Sequence, residues 1–391
     1  MEQARRLQAI PPYPFGEIAR LKERARAEGW DIIDFGIGDP DVPPPDCIKS
    51  ALVEALSDPI VHQYDETSWG SPGFVNAVGD WFRKRFGVTL DRAGGIKVTL
   101  GSKEALAKTG WAFLNDGDAC LVPNPAYSVY KYNALFAGAK VHELPLTREN
   151  RFLPDLDAVP AAVANRAKLL FINYPNNPTG AGATLEFLKR AVDFAEKYDI
   201  LVCHDAAYSE VYFDGQPAPS VLQVDGALSR AIEFHSLSKT FCVTGWRIGW
   251  VCGCKEGVAA LSRMKSYTDS NVFPAIQRAG AVALAQGDAH MRMVRDVYKR
   301  RRDILVDGLR SIGWDVDTPA GTFYVWAPVP TGKTSAETAS LLLSEARVIT
   351  IPGSAYGSEG EGFIRFALTM NAADVEARIG EAVERIARLG L

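Results

Sequence analysis

This sequence has no long hydrophobic run, little cysteine and no marked excess of either charge, and each shortage removes a class of protein. Its apolar stretches fall far short of the roughly 20 residues that a bilayer-spanning helix needs. The opening MEQARRLQAIPPYPFGEI has no apolar core of signal-peptide length, and Pro11, Pro12 and Pro14 interrupt it. Export is therefore not expected, and a cytoplasmic location is. A formal net charge of -4 without a long basic run leaves no electrostatic footprint for nucleic acid or an acidic membrane surface. Small molecules are the expected partners. Six cysteines, at 47, 120, 203, 242, 252 and 254, sit mostly inside apolar strand-like runs, which suits reduced thiols better than disulfides. Cys252 and Cys254 flank a single glycine, yet no second Cys or His pair lies near them at ligand spacing, so no metal site is expected. There is no internal repeat and no low-complexity tract.

What is present is an enzyme-sized globular chain. Its 391 residues allow a well-buried core and more than one domain. Apolar and charged fractions of 47% and 23% exclude disorder and fibrous repeats. Runs of strand length recur: IKVTL (96–100), ACLVP (119–123), KVHEL (140–144), KLLFIN (168–173), ILVCHD (200–205), AIEFHS (231–236) and IGWVCG (248–253). Helical patterns separate several of them; in LEFLKRAVDFAEK (185–197), Leu185, Leu188, Ala191, Val192 and Ala195 form one apolar stripe. Such alternation predicts an α/β architecture with a mostly parallel sheet covered by helices. Beyond about residue 275 longer helical patterns surround the strand-like TFYVWAPV (322–329) and FIRFALT (363–369), which reads as a smaller α+β domain. The expected division is an N-terminal arm with part of the small domain over 1–45, a large domain over 46–275 and a small C-terminal domain over 276–391.

Ligands of open α/β sheets bind outside the carboxyl ends of the strands. KLLFIN runs into YPNNPTG and places Asn177 in a tight turn; ILVCHD ends at Asp205, with Tyr208 shortly after; AIEFHS ends at Ser236, just before Lys239. IKVTL followed by GSKEALAKTGWAFL is a strand, a glycine turn and a helix whose first N–H groups, at Gly101, Ser102 and Lys103, make an anion cradle. Taken singly, each has a bland explanation: Asp205 as a helix cap, Lys239 as a solvated surface lysine. An acid, an amide, a phenol, a lysine and an arginine at one sheet edge beside an anion cradle are not required by folding. One chemistry uses them all, a lysine Schiff base to pyridoxal phosphate with an acid at the pyridine nitrogen and a phosphate cradle. Lys239 is then the nucleophile, Asp205 keeps the ring nitrogen protonated, Asn177 and Tyr208 hydrogen-bond the ring oxygen, and Arg247 pairs with the phosphate.

The motifs HQYDE, LGSKEAL, PNPAYSVY, NYPNNPTG, DAAYSE, SLSK with GWR, and FIRFALT run through almost the whole chain. With them the sequence resembles the class I/II aminotransferases of fold type I, and most closely their diaminopimelate aminotransferase branch. That resemblance implies a mostly parallel seven-stranded sheet flanked by helices in the large domain, pyridoxal 5'-phosphate as cofactor, and a homodimer. It implies Lys239 as Schiff-base lysine and proton carrier, with Asp205 and Tyr208 as its catalytic companions. Tyr127 is implied to stack on the cofactor ring. The phosphate ligands would be Ser102, Lys103, Ser236, Arg247 and, across the dimer interface, Tyr64. Arg365 would pair with the substrate α-carboxylate beside Gly38 and Asn177, and Tyr13 would reach the substrate from the arm.

The implied reaction is transfer of the α-amino group of an L-amino acid, diaminopimelate-like or otherwise polar, to a 2-oxo acid. The alternative is a specialised enzyme that uses the same Cα carbanion for elimination, replacement or cyclisation; binding without turnover is the non-enzymatic reading. Some positions depart from the family pattern. The segment after Tyr64 is one residue longer than usual, with Val75 at a common arginine; Ser128 replaces a common proline; and Phe241-Cys242-Val243 stands where Tyr-Asn-Met is common. These departures are expected around the entrance and dimer arm, with Phe241-Cys242-Val243 as the place where a different substrate would show.

Overall fold

A computed structural model describes residues 1–8, 10, 20, 22, 23, 25 and 27–391. The strands are β1 (Ile33–Asp34), β2 (Ile96–Thr99), β3 (Ala119–Asn124), β4 (Lys140–Pro145), β5 (Ala167–Asn173), β6 (Leu201–Asp205), β7 (Ala231–Ser236), β8 (Gly249–Gly253), β9 (Tyr324–Pro328), β10 (Val348–Ile349), β11 (Ile351–Pro352) and β12 (Phe363–Ala367). Seven of them form one sheet in the order β2-β8-β7-β6-β5-β3-β4. All its pairings are parallel except those of β8, which runs antiparallel to both β2 and β7. This is the mostly parallel seven-stranded sheet of fold type I.

The sheet is buried on both faces, and the two-residue repeat of a strand sorts its side chains. On β5, Leu170 and Ile172 join a core with Phe74, Trp81, Leu188 and Trp250. Leu169 and Phe171 join the opposite core, with Leu106, Tyr130 and Phe234. Such strands read as continuous apolar runs because neither face meets water. The helix Leu185–Tyr198 starts at Thr184, whose side chain accepts from the Phe187 amide, and ends at Asp199 in the left-handed region. Its buried stripe is Phe187, Leu188, Ala191, Val192 and Ala195. Leu185, expected in that stripe, is 45% exposed, because the first helical position turns it outward and Phe187 takes the inward place.

A third core lies over a smaller antiparallel sheet, β11-β12-β9, and joins Phe35, Tyr298, Leu305, Phe323 and Phe366. The long helix Asp288–Ser311 covers it. β1 adds to this part of the molecule by pairing in parallel with β10. The segment that follows β1 is thereby carried to the seam between the two sheets.

Candidate active site

The parallel strands β5, β6 and β7 end at one edge: Asn173 pairs with Asp205, and Asp205 with Phe234, two residues before Ser236. Outside that edge lies a cavity of about 420 Å3, a size suited to a small cofactor with its substrate. Ser102, Lys103, Tyr127, Asn177, Asp205 and Tyr208 line it, as do Ser236, Lys239, Arg247, Gly38 and Arg365. Among the described residues expected from sequence, Tyr64 is not brought there. Tyr64 is 82% exposed and borders a separate cleft. Tyr13 lies outside the described residues.

The inner end is acidic. Asp205 Oδ2 accepts from the Tyr130 hydroxyl at 2.7 Å and Oδ1 from the Ala207 amide at 3.1 Å. Burial raises the pKa of Asp205, and those two bonds, followed by the charges of His204 and His235, oppose the rise. Asn173 Nδ2 donates to the Asp205 carbonyl at 2.8 Å, while its oxygen accepts from the Asn177 amide at 2.8 Å. One asparagine therefore ties the acid to the turn that carries Asn177.

The outer end is cationic. The helix Ser102–Phe113 begins after Gly101, whose φ of 72° belongs to the left-handed region. That φ favours glycine, and a Cβ on Gly101 would lie 2.5 Å from Arg247 Nη2 and push the guanidinium aside. Arg247 donates to the Thr244 carbonyl at 3.0 Å and the Leu100 carbonyl at 3.2 Å, and no carboxylate pairs with it among the described residues. Lys103 Nζ lies 5.7 Å from the centroid of the Tyr127 ring. Lys239, on the short helix Leu237–Thr240, donates to the Gly38 carbonyl at 2.9 Å. Burial lowers the pKa of its amine; Tyr324 and Asp39 oppose this, and Arg247 and Arg365 add to it. A lysine so placed gives up its proton more readily than a surface one.

Between the sheets, Arg365 Nη1 donates to Asn177 Oδ1 at 3.0 Å and Nη2 to the Gly36 carbonyl at 2.9 Å, with the Tyr324 ring 4.0 Å from the guanidinium carbon. Its Nε is buried and has no hydrogen-bond partner among the described residues. Tyr324 also places its hydroxyl 2.9 Å from that of Tyr208.

The residues therefore fit a planar ligand with a basic nitrogen at Asp205, an anionic group at the Gly101 turn and Arg247, and an electrophilic carbon near Lys239, with room beside Arg365 for a carboxylate. Tyr130, Asn173 and Tyr324 were not anticipated. Tyr130 had a signal, since it follows Tyr127 by three residues, in the first turn of the helix Val129–Phe136; Asn173 had another as the last residue of its strand. For Tyr324 the sequence offered only a strand.

Fold and site together define a fold-type-I pyridoxal-phosphate enzyme. The pattern of the family "Aminotransferase class I and II" matches residues 30–386, and the chain belongs to that family. It is 48% identical over 389 residues to the LL-diaminopimelate aminotransferase of Moorella thermoacetica, covering 100% of this chain and 98% of that protein. It is 46% identical to the enzyme of that name from Aquifex aeolicus, covering 99% and 98%. Among solved structures, substrate-bound BacF from Bacillus subtilis superposes with a TM-score of 0.93 at 33% identity, covering 100% and 98%. A double mutant of Thermus thermophilus aspartate aminotransferase gives 0.91 at 30% identity, covering 100% of each chain. The protein is a pyridoxal-phosphate-dependent aminotransferase that moves the amino group of an amino acid to a 2-oxo acid. These relatives do not favour the lyase or cyclase alternative. No helix among the described residues is long and apolar enough to cross a membrane.

Proposed function

We propose that the amino donor is diaminopimelate or a close polar analogue, and that the protein works as a cytoplasmic homodimer. Full-length identity of 46–48% to proteins named LL-diaminopimelate aminotransferase carries the choice of donor. When bound, pyridoxal phosphate supplies an electron-accepting ring that stabilises negative charge at the substrate Cα. The protein's own groups then have distinct tasks. Asp205, held by Tyr130, keeps a proton on the ring nitrogen. Asn177 and Tyr208 would hydrogen-bond the ring oxygen, and Tyr127 would hold the ring. Ser102, Lys103, Ser236 and Arg247 hold the phosphate, and Tyr64 of a second copy completes that set.

Arg365 binds the substrate carboxylate through a planar fork that a lysine does not reproduce. Gly38 leaves the space that Tyr324 occupies and that the substrate carboxylate would share, and Asn177 lines it. Arg365 would fix the orientation of the substrate's Cα–H bond, and the Lys239 amine, its pKa lowered by burial, would take that proton and return one. The reading is tested by incubating the purified protein with LL-diaminopimelate and 2-oxoglutarate and following glutamate by mass spectrometry. Glutamate should form with ping-pong kinetics. Turnover of other amino acids but not of diaminopimelate would refute the choice of donor.

A further inference from the structure

The longer segment after Tyr64 is held by a buried lysine for which the active-site reading gives no task. Lys97, on β2, is 3% exposed. Its Nζ donates to the Ser68 carbonyl at 2.8 Å and to Asn271 Oδ1 at 2.7 Å. Asn271 Nδ2 in turn donates to the carbonyls of Asp65 and Thr67, each at 3.0 Å. Gln277 Nε2 donates to Asp65 Oδ2 at 2.7 Å, and Ser262 Oγ to the Ser68 carbonyl at 3.1 Å. The backbone of 65–68 is thus fixed from inside the protein, while the Tyr64 side chain just before it projects into solvent.

The same network reaches the opposite way. The Asn271 amide donates to Asp269 Oδ1 at 3.0 Å, and Asp269 and Glu104 together hold Lys108 and Lys265. Glu104 belongs to the helix whose first turn lines the cavity. Burial, helped by Lys265, lowers the pKa of Lys97 to about 8, against the opposing charges of Asp65, Asp269 and Glu104. Burying an ammonium costs desolvation, and the hydrogen bonds that offset it here are the ones that fix the 65–68 backbone.

We propose that Lys97 and Asn271 are positioning residues that hold the 65–68 loop so that Tyr64 is presented to the cofactor phosphate of a partner subunit. This rests on the homodimer reading above. Lys97→Met keeps the length and removes the donor; Asn271→Ala removes both contacts to the loop carbonyls. Each should weaken pyridoxal phosphate binding about tenfold, as should Tyr64→Phe, the size of one hydrogen bond to a charged group. The Tyr64→Phe/Lys97→Met double variant should be no weaker than Tyr64→Phe alone.

A mixed dimer separates action across the interface from action within one chain. Lys97→Met and Lys239→Ala subunits are co-expressed with different tags, and cofactor binding is read from the visible absorbance that only a site with Lys239 gives. The working site of the mixed dimer lies on the Lys97→Met subunit but receives Tyr64 from a subunit whose Lys97 is intact. It should bind cofactor as tightly as the wild type. Affinity as weak as in the Lys97→Met homodimer would overturn the proposal. So would additive losses in the double variant, or Lys97→Met and Asn271→Ala proteins that bind cofactor normally while Tyr64→Phe does not. If Tyr64→Phe itself leaves affinity unchanged in a protein that sediments as a dimer, the reading of Tyr64 across the interface fails, and this proposal with it.

Discussion

Tyr130→Phe takes a single oxygen from the deepest part of the site and leaves the packing alone. The Tyr130 ring is fully buried, stacked on Phe171 at 5.2 Å between centroids and edge-on to Tyr127 at 5.8 Å, so phenylalanine fills the same space. What goes is the 2.7 Å hydrogen bond to Asp205, leaving that carboxylate with the Ala207 amide. Hydrogen bonds to charged groups contribute about 1.5–3 kcal/mol, which corresponds to roughly 10- to 150-fold in binding where only the ionised carboxylate serves. Burial already raises the pKa of Asp205 and Tyr130 opposes the rise, so the variant's carboxyl takes up a proton at higher pH. Since the ionised form is lost as pH falls through that pKa, cofactor affinity should decline at higher pH in the variant than in the wild type. Titrating apoprotein with pyridoxal phosphate across a pH series, beside urea unfolding of the apoprotein, reads both effects. Equal affinity at every pH would refute the role given to Tyr130. A pH-independent loss matched by an equal loss of apoprotein stability would assign it to packing instead.

Arg365→Lys should raise the KM for the amino donor by about tenfold or more while cofactor affinity stays within twofold, because it breaks the fork but no cofactor contact; parallel steady-state kinetics and cofactor titration check the split. Lys239→Met should stabilise the apoprotein near neutral pH. Burial lowers the lysine's pKa, so the folded chain binds fewer protons than the unfolded one between the two pKa values, and wild-type stability rises with pH across that window. The advantage of the variant should therefore shrink toward the pH at which free lysine titrates, as followed by urea unfolding. Gly38→Ala would set a Cβ 2.0 Å from the Tyr324 hydroxyl. It should cost about 1–3 kcal/mol as overpacking and weaken donor binding through the disturbed Tyr208–Tyr324 pair; a neutral result in both unfolding and kinetics would contradict this close approach.

The strands of the large sheet were legible because burial on both faces leaves unbroken apolar runs, and their polar last residues marked the rim. Asp205, Asn177 and Lys239 were found in that way, from position along the chain. Contacts across the seam were not legible. Tyr324 reaches Tyr208, 116 residues away, and Arg365 reaches Gly36, 329 residues away. No local pattern encodes such pairs; they arise because β1 joins the second body and carries Gly36–Gly38 over the cavity. The Leu185 stripe failed for a smaller reason, since periodicity does not say which residue of the first helical turn faces inward.

The departures from the family pattern are reordered by the structure. Phe241 is fully buried and stacked on His290 at 6.1 Å, and Val243 belongs to the same core of the large sheet, while Cys242 packs into the core over the small sheet with a φ of 57°. None of the three lines the cavity, and neither does Val75, which is buried in the helix Pro72–Phe86. Asparagine at 242 would suit left-handed backbone better than cysteine does, so the cysteine exchanges backbone comfort for apolar packing. Ser128 and Ile37 do line the cavity, and Ile37 is 53% exposed at its mouth. Two sets of variants should therefore behave oppositely. Cys242→Asn should shift unfolding stability by about 1 kcal/mol or less and leave the ratio of kcat/KM between two amino donors unchanged, since the site it touches is packing. Ser128→Pro and Ile37→Ala should change that ratio severalfold with little effect on cofactor binding. A donor preference that follows residue 242 and ignores 37 and 128 would mean that selection is exerted through the seam between the large and small sheets.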